Sequence, residues 1–246
     1  MKELILSLWL VAVAAASSND KIVGGYECSP HSVPWQVSLD MGYHGCGGSL
    51  ISDRWVISAA HCYYSPDYLK VLLGAHSLTE RTGTEVLVGV DSIHQHPQFD
   101  GYTLDHDIML IKLAETIRMT DDIRAVQLPT ECPLPYAMCT VSGWGNTYPN
   151  DVVMPDTLRC VRVPLMNDYA CNYAYPGLIT STMICAGYME GQKDACNGDS
   201  GGPLVCGELL EGIVSWGQGC AQPNYPGVYT KVCTVLPWIH ETMATN

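Results

Sequence analysis

One serine stands out chemically. Ser200 lies in KDACNGDSGGP, residues 193–203, among glycines and acids that bury little apolar surface and favour a tight, exposed turn. A serine hydroxyl is a poor nucleophile near neutral pH unless a base stands beside it, and that base needs a third group to fix its tautomer. Histidine suits the role of base, and SAAHC at 58–62 supplies His61 directly after the apolar run 55–57 and next to Cys62, which could pin the loop. DHD at 105–107 supplies an acid ahead of IMLI at 108–111, so Asp107 stands where a buried strand begins and a carboxylate requires a partner. Taken alone, GDSGG reads more readily as a loop than as a site of chemistry. Its meaning changes because the same chain holds a base and an orienting acid.

Other residues compete for these roles. His31, His44, His76, His94, His96, His106 and His240 fall in loops or the tail and read as surface or hydrogen-bonded histidines. His106 is the nearest rival, but its neighbour Asp107 enters the apolar run, which turns His106 to the other side of an extended segment. Cys46, His61 and Cys62 could instead hold zinc, a reading that requires free thiolates.

The elements that must position this chemistry are short. Apolar or alternating runs at 35–39, 55–57, 69–73, 86–90 and 108–112 read as strands, and a second set follows at 137–142, 159–163, 203–206, 212–216 and 228–231. The one helix signal is the tail, 235–243, with Pro237 in a first turn and Leu236, Ile239 and Met243 on one face. Two strand-rich halves meeting near residue 130 predict an all-β protein of two β-barrels, with His61 and Asp107 in the first, Ser200 in the second and the site in the cleft between them. At 246 residues there is ample material for such a core.

Charge and cysteine content narrow the setting. The net charge is −13 and the first 21 residues contribute nothing to it, so the remainder should repel nucleic-acid phosphates and anionic membranes. Twelve cysteines, an even number, point to an oxidising compartment and disulfides, although spacing alone leaves the pairing open. Residues 1–16 carry Lys2, an apolar run and small residues at the end, the pattern of a secretory signal peptide, and 17–21 form a short remnant ending in Lys21. The product is expected to be extracellular.

The motifs together resemble the trypsin-type serine proteases of the chymotrypsin family. The resemblance rests on IVGGYEC at 22–28, SAAHC at 58–62, DHDIMLIKL at 105–113, GDSGGP at 198–203 and SWGQGC at 215–220, in the family's order of His, Asp and Ser. Within the family, the digestive, fish-type anionic trypsins are the nearest in character, which implies a digestive lumen.

The resemblance implies two antiparallel six-stranded β-barrels packed face to face with a C-terminal α-helix. The first would span about 22–130 and the second, with the helix, about 131–246. It implies the pairs Cys28–Cys160, Cys46–Cys62, Cys132–Cys233, Cys139–Cys206, Cys171–Cys185 and Cys196–Cys220. It implies His61, Asp107 and Ser200 as catalytic residues, Ser215 as a hydrogen-bond partner of Asp107, and the backbone N–H groups of Gly198 and Ser200 as an oxyanion hole.

Asp194 would select Lys or Arg at the base of a pocket kept open by Gly217 and Gly227. Ala195 replaces a serine common there, which predicts a stronger preference for Arg. Cleavage after Lys21 would free an Ile22 ammonium to pair with Asp199. Of the family's calcium loop only Glu85 remains as an obvious acid ligand, with Ala75, Ser77 and Thr82 at the other positions, so no cofactor or metal is expected. Expected partners are protein and peptide substrates, an activating protease and protein inhibitors, with the chain acting as a monomer, without nucleic acid or membrane. Two other readings differ on stated residues. An inactive binding protein on the same fold would show a substituted His, Asp, Ser or glycine, and a protease cutting after aromatic residues would lack the acid at 194.

Overall fold

A computed structural model describes residues 22–147 and 154–246. The proposed signal peptide, the remnant and Lys21 lie outside the described residues. In chain order the strands are Tyr26–Glu27 (β1), Gln36–Asp40 (β2), His44–Leu50 (β3), Trp55–Ser58 (β4), Lys70–Leu73 (β5), Val86–Gln95 (β6), Met109–Leu113 (β7), Met138–Gly143 (β8), Arg159–Pro164 (β9), Met183–Ala186 (β10), Pro203–Cys206 (β11), Leu209–Trp216 (β12) and Gly227–Lys231 (β13). Two α-helices, Asp168–Ala174 (α1) and Leu236–Thr245 (α2), accompany them.

Six strands close a barrel in the order β2-β3-β4-β7-β6-β5, every neighbouring pair antiparallel. β4 and β7 read as continuous apolar runs because they are buried on both faces, which removes the alternation of a half-exposed strand. The other seven strands form a sheet in the order β1-β9-β8-β11-β12-β13-β10. That sheet curls until its far edge returns: Leu165, just beyond β9, bridges Ala186 at the end of β10, and Gly187 N–H donates to Pro164 O at 3.0 Å. The second half therefore approaches barrel closure through a single bridge, with β1 as an extra edge strand.

The chain crosses the expected boundary near residue 130 at both ends. β1 pairs with β9, and Ile22 is fully buried in the core of the second sheet with Val141, Leu204 and Tyr229. Conversely Ile239 of α2 belongs to the core of the first barrel, where Leu236, Trp238 and Met243 also pack. The helix thus buries the face that its sequence spacing marked. All six disulfides implied by the resemblance are present, and no described cysteine is free.

Four elements have no counterpart in the sequence reading: β1, β3, β10 and α1. β3 contains Gly45, Gly47 and Gly48, poor strand formers in isolation. Glycine at position 47 relieves crowding, because a Cβ would stand 3.0 Å from the Cα of Gly202 in the second half. α1 is only seven residues long and is started by Asn167, whose side chain accepts from Ala170 N.

β12 also carries a buried acid. Leu204 pairs with Gly212 and Val205 with Leu210, so a bulge leaves Glu211 opposite no residue of β11. It is 4% exposed, its Oε2 has no partner among the described residues, and burial pushes its carboxyl up to about 7. An unfolded glutamate titrates near 4.3, so the folded state carries a penalty that grows above about pH 4 and is complete above about pH 7. Glu211→Gln should raise the melting temperature most at pH 8 and not at all below pH 4, by about 2–4 °C for each kcal/mol recovered. Calorimetry at the two pH values checks this, and a gain independent of pH would contradict it.

Candidate active site

Asp107 is the centre of a bonded group drawn from both halves. It precedes β7, is completely buried, and uses both carboxylate oxygens. Oδ1 accepts from the His61 backbone N–H at 2.9 Å, while Oδ2 accepts from Ser215 Oγ at 2.6 Å and lies 2.7 Å from His61 Nδ1. Thr230 Oγ1 donates to the Asp107 carbonyl at 2.7 Å. An ionised carboxylate only accepts, so Nδ1 must carry the proton facing it, which leaves Nε2 of a neutral His61 free to accept a proton. His61 sits in a 3₁₀ turn, Ala60–Cys62, that Gln95 holds through the Ala60 carbonyl and that the Cys46–Cys62 bridge ties to β3. That bridge consumes both thiols of the alternative zinc cluster, so the thiolates it requires are not available.

The Ser200 loop docks on the same strand, because Gly47 N–H donates to Ser200 O at 2.8 Å. Two peptide planes of the loop are fixed from behind. The carbonyl of Asn197 accepts from Asn146 N–H at 2.7 Å and that of Asp199 accepts from Gly202 N–H at 2.8 Å. In a trans peptide the N–H points opposite to the C=O, so the N–H groups of Gly198 and Ser200 are turned away from these partners. Neither has an acceptor among the described residues. Gly198 has φ +99°, a conformation that side-chain-bearing residues rarely adopt. Its carbonyl is held by His44 Nε2 at 2.9 Å, and His44 Nδ1 meets Ser38 Oγ at 2.6 Å.

Beneath the loop, Asp199 is fully buried and accepts from Gly145 N–H at 2.8 Å and Cys196 N–H at 2.9 Å. Burial raises its carboxyl to about 6, with these two bonds pulling the other way.

A cavity of about 170 Å³ opens beside Ser200, walled by Val214 to Gly217, Gly227 and the Cys196–Cys220 bridge. Asp194 lies at its lining, 4% exposed, and Oδ2 accepts from Ala221 N–H at 2.9 Å. Its Oδ1 has no described partner, and neither has the hydroxyl of the neighbouring Tyr229. Burial raises the Asp194 carboxyl to about 7 despite backbone donation from Ala221 and Ala195. A Cβ at position 227 would come within 2.7 Å of that free oxygen, whereas at 217 it would meet nothing nearer than 3.5 Å. Trp216 joins this cavity to an apolar groove of about 420 Å³ lined by Tyr102, Leu104, Gly177 and Leu178.

The structure therefore brings His61, Asp107 and Ser215 into direct contact and gathers Asp194, Ala195, Ser200, Gly217 and Gly227 around one cavity. His44 and Thr230 were not singled out as site residues, since neither lies in a recognisable motif. Only their contacts reveal them.

The loop expected to have lost calcium donors is bonded to itself. Thr82 N–H, Thr82 Oγ1 and Gly83 N–H all donate to the Glu85 carboxylate at 2.9 Å, and these bonds hold its carboxyl down at about 2 against a desolvation cost. Ser77 donates to Asp156 of the second half at 2.6 Å. With alanine at 75 and Glu85 engaged by its own loop, these residues do not fit a hard cation that wants six or more oxygens.

A mostly β chain of two sheets, with a serine loop, a carboxylate-bound histidine and an acid-based pocket at their junction, belongs to the class of serine hydrolases built on paired β-barrels. The sequence profile described as Trypsin matches residues 22–239. Over 246 residues the chain is 49% identical to a trypsin of Xenopus laevis, with 100% of both chains covered. It is 52% identical over 245 residues to serine protease 1 of Rattus norvegicus, covering 98% of this chain and 99% of the relative. It is 53% identical over 245 residues to trypsin-10 of Gadus morhua, with 100% of both chains covered. The chain belongs to the trypsin family and is a serine endopeptidase that acts on protein and peptide substrates.

Proposed function

We propose that the chain is a secreted zymogen whose active form cuts peptide bonds after Arg and Lys. The observation that carries the specificity is the buried Asp194 with one oxygen unpartnered in a narrow cavity beside Ser200. A carboxylate left in that condition is costly, and the cationic end of a long side chain is its natural complement. An apolar side chain would leave the charge unpaired, so it is rejected.

In the cycle we infer, Ser200 Oγ attacks the carbonyl carbon of the bound Arg or Lys residue while His61 Nε2 takes the hydroxyl proton. The carbonyl becomes an oxyanion held by the N–H groups of Gly198 and Ser200, and one such donor contributes about 3–4 kcal/mol in a related site. His61 then gives its proton to the leaving amine, and the acyl group stays on Ser200. Water repeats the sequence: His61 accepts its proton, the hydroxyl adds to the acyl carbon, and Ser200 leaves with the proton returned. Asp107 stabilises the imidazolium at each stage without being protonated.

The zymogen reading rests on Ile22 and Asp199. Ile22 is fully buried in the core of the second sheet, and Asp199 is a fully buried acid whose two described donors are both backbone N–H groups. Cleavage after Lys21 by an activating protease would create an ammonium at Ile22, the charge that Asp199 lacks. Six disulfides and the apolar leader support export, and a pocket with an acid at its lining suits inhibition by proteins that offer a Lys or Arg. Calcium plays no part in the loop at Glu85.

Initial rates on matched peptide anilides ending in Arg, Lys or Phe, before and after cleavage at Lys21, test this reading. Activity is expected only after cleavage and only on Arg and Lys, with Arg favoured about fivefold more than in a variant carrying Ala195→Ser, the effect of one hydrogen bond of roughly 1 kcal/mol. Activity on Phe, or equal Arg and Lys ratios in both proteins, would contradict it.

A pH test is independent of turnover. Because the free Asp194 carboxyl titrates at about 7, a small amidinium ligand should bind about tenfold more weakly for each pH unit below that value and release a proton as it binds. Calorimetry in buffers of different ionisation enthalpy reads this, and Asp194→Asn should abolish both effects. For calcium, the expected outcome is a melting temperature unchanged by millimolar Ca²⁺. A stabilisation that disappears in Glu85→Ala would place the ion in the loop after all.

A further inference from the structure

Asp105 stands two residues ahead of Asp107, between two residues in the left-handed region, Leu104 at φ +57° and His106 at φ +52°. Neither is glycine, and such backbone persists only where its surroundings over-determine it. Part of the determination is local: Leu104 N–H donates to Asp100 O and Ile108 N–H to His106 O, each at 2.8 Å. His106 N–H also donates to Asp105 Oδ1 and Asp100 N–H to Asp105 O, each at 3.1 Å, and further bonds come from the other half of the molecule. Asp105 Oδ1 accepts from Thr180 Oγ1 at 2.7 Å and from Thr182 Oγ1 at 2.5 Å, and Thr182 Oγ1 lies 3.3 Å from the His106 N–H that donates to it. Thr182 is itself anchored, because its carbonyl accepts from Lys231 N–H at 2.7 Å. Lys231 follows Thr230, the residue that holds the Asp107 carbonyl.

These bonds span the apolar groove. Tyr102, Leu104 and Asp105 supply one wall, Gly177, Leu178 and Thr180 the other, and Trp216 connects the groove to the Asp194 cavity. Tyr102 and Leu178 are exposed, with apolar surface available to an occupant. We propose that Asp105 is a positioning residue for substrate recognition: its carboxylate clamps the two walls together and holds Leu104 in place, so that the groove takes apolar side chains lying ahead of the Arg or Lys. This inference rests on the protease reading given above. A carboxylate accepting from two hydroxyls suits the task, since charge-assisted bonds are short and strong. Burial opposes ionisation of Asp105, but the bonds from Thr182 and Thr180 and the nearby His106 hold its carboxyl below the ordinary range.

The test compares two arginine anilides, one carrying arginine alone and one with two apolar residues before it, on the activated protein. The readout is the ratio of their kcat/KM values. Asp105→Ala should lower the ratio about tenfold through KM of the longer substrate, the scale of losing charge-assisted hydrogen bonds. Asp105→Asn keeps an acceptor oxygen for the threonines and should return the ratio to within about threefold of the parent. The double variant Thr180→Val with Thr182→Val should reproduce the alanine result and serves if Asp105→Ala does not fold. A ratio unchanged in both the alanine and the double variant would overturn the clamp. So would an asparagine variant no better than alanine, which would assign the effect to charge near Asp107. A parent protein that cleaves neither anilide would defeat the protease specificity itself, a result distinct from cleavage of both with no dependence on Asp105.

Discussion

A carboxylate cannot be removed from water without donors to replace it, and Asp107 is removed completely. Its donors come from both halves: the backbone and ring of His61 on one side, Ser215 on the other, with Thr230 holding its carbonyl. Neither half alone could bury this acid at acceptable cost, so the site forms only when the closed barrel and the second sheet dock. Much of the remaining architecture serves that docking. Gly47 lets the Ser200 loop approach β3, α2 seals the first barrel from the far end of the chain, and the Cys28–Cys160 bridge joins segments 132 residues apart. Long closures of this kind reduce the freedom of the unfolded chain most.

Four buried acids show how the number of donors decides what a carboxyl becomes. Asp107 has three bonds to its oxygens and orients a histidine. Asp199 has two described bonds, both from backbone, and its carboxyl is raised to about 6. Asp194 keeps one oxygen free and is raised to about 7, as is Glu211, for which burial acts with no opposing bond. The first is satisfied within the fold. Asp194 faces a cavity that a ligand can enter, whereas Glu211 sits at a bulge in a strand, where the same condition is only a cost to stability.

Much of the fold could be read from patterning. The strands at 55–57, 108–112, 159–163 and 203–206 were legible because continuous or alternating apolar runs end at turn residues, and the tail helix because Leu236, Ile239 and Met243 share a face. β3 was not legible, since its glycines weaken a local strand signal: Gly47 answers to a backbone in the other half, and Gly45 and Gly48 to Met41, Val37 and Val56 of the same barrel. β10 is four residues that include Cys185, and α1 is too short for a period to show. The second sheet was expected as a six-stranded barrel; it has a seventh strand because residues 26–27 leave the first half to pair with β9.

What the sequence determined by itself was the inventory: an activatable serine, a histidine, acids at 107, 194 and 199, and twelve cysteines, all set in motifs specific enough to imply a family. These are local facts, fixed by residue type and short spacing. Tertiary structure alone decided which groups those residues meet. His44 reaches Gly198 across 154 positions, Thr230 reaches Asp107 across 123, and Thr182 reaches Asp105 across 77. No local pattern encodes such contacts, because a hydroxyl or an imidazole acquires its role only from the acceptor that folding places within about 3 Å.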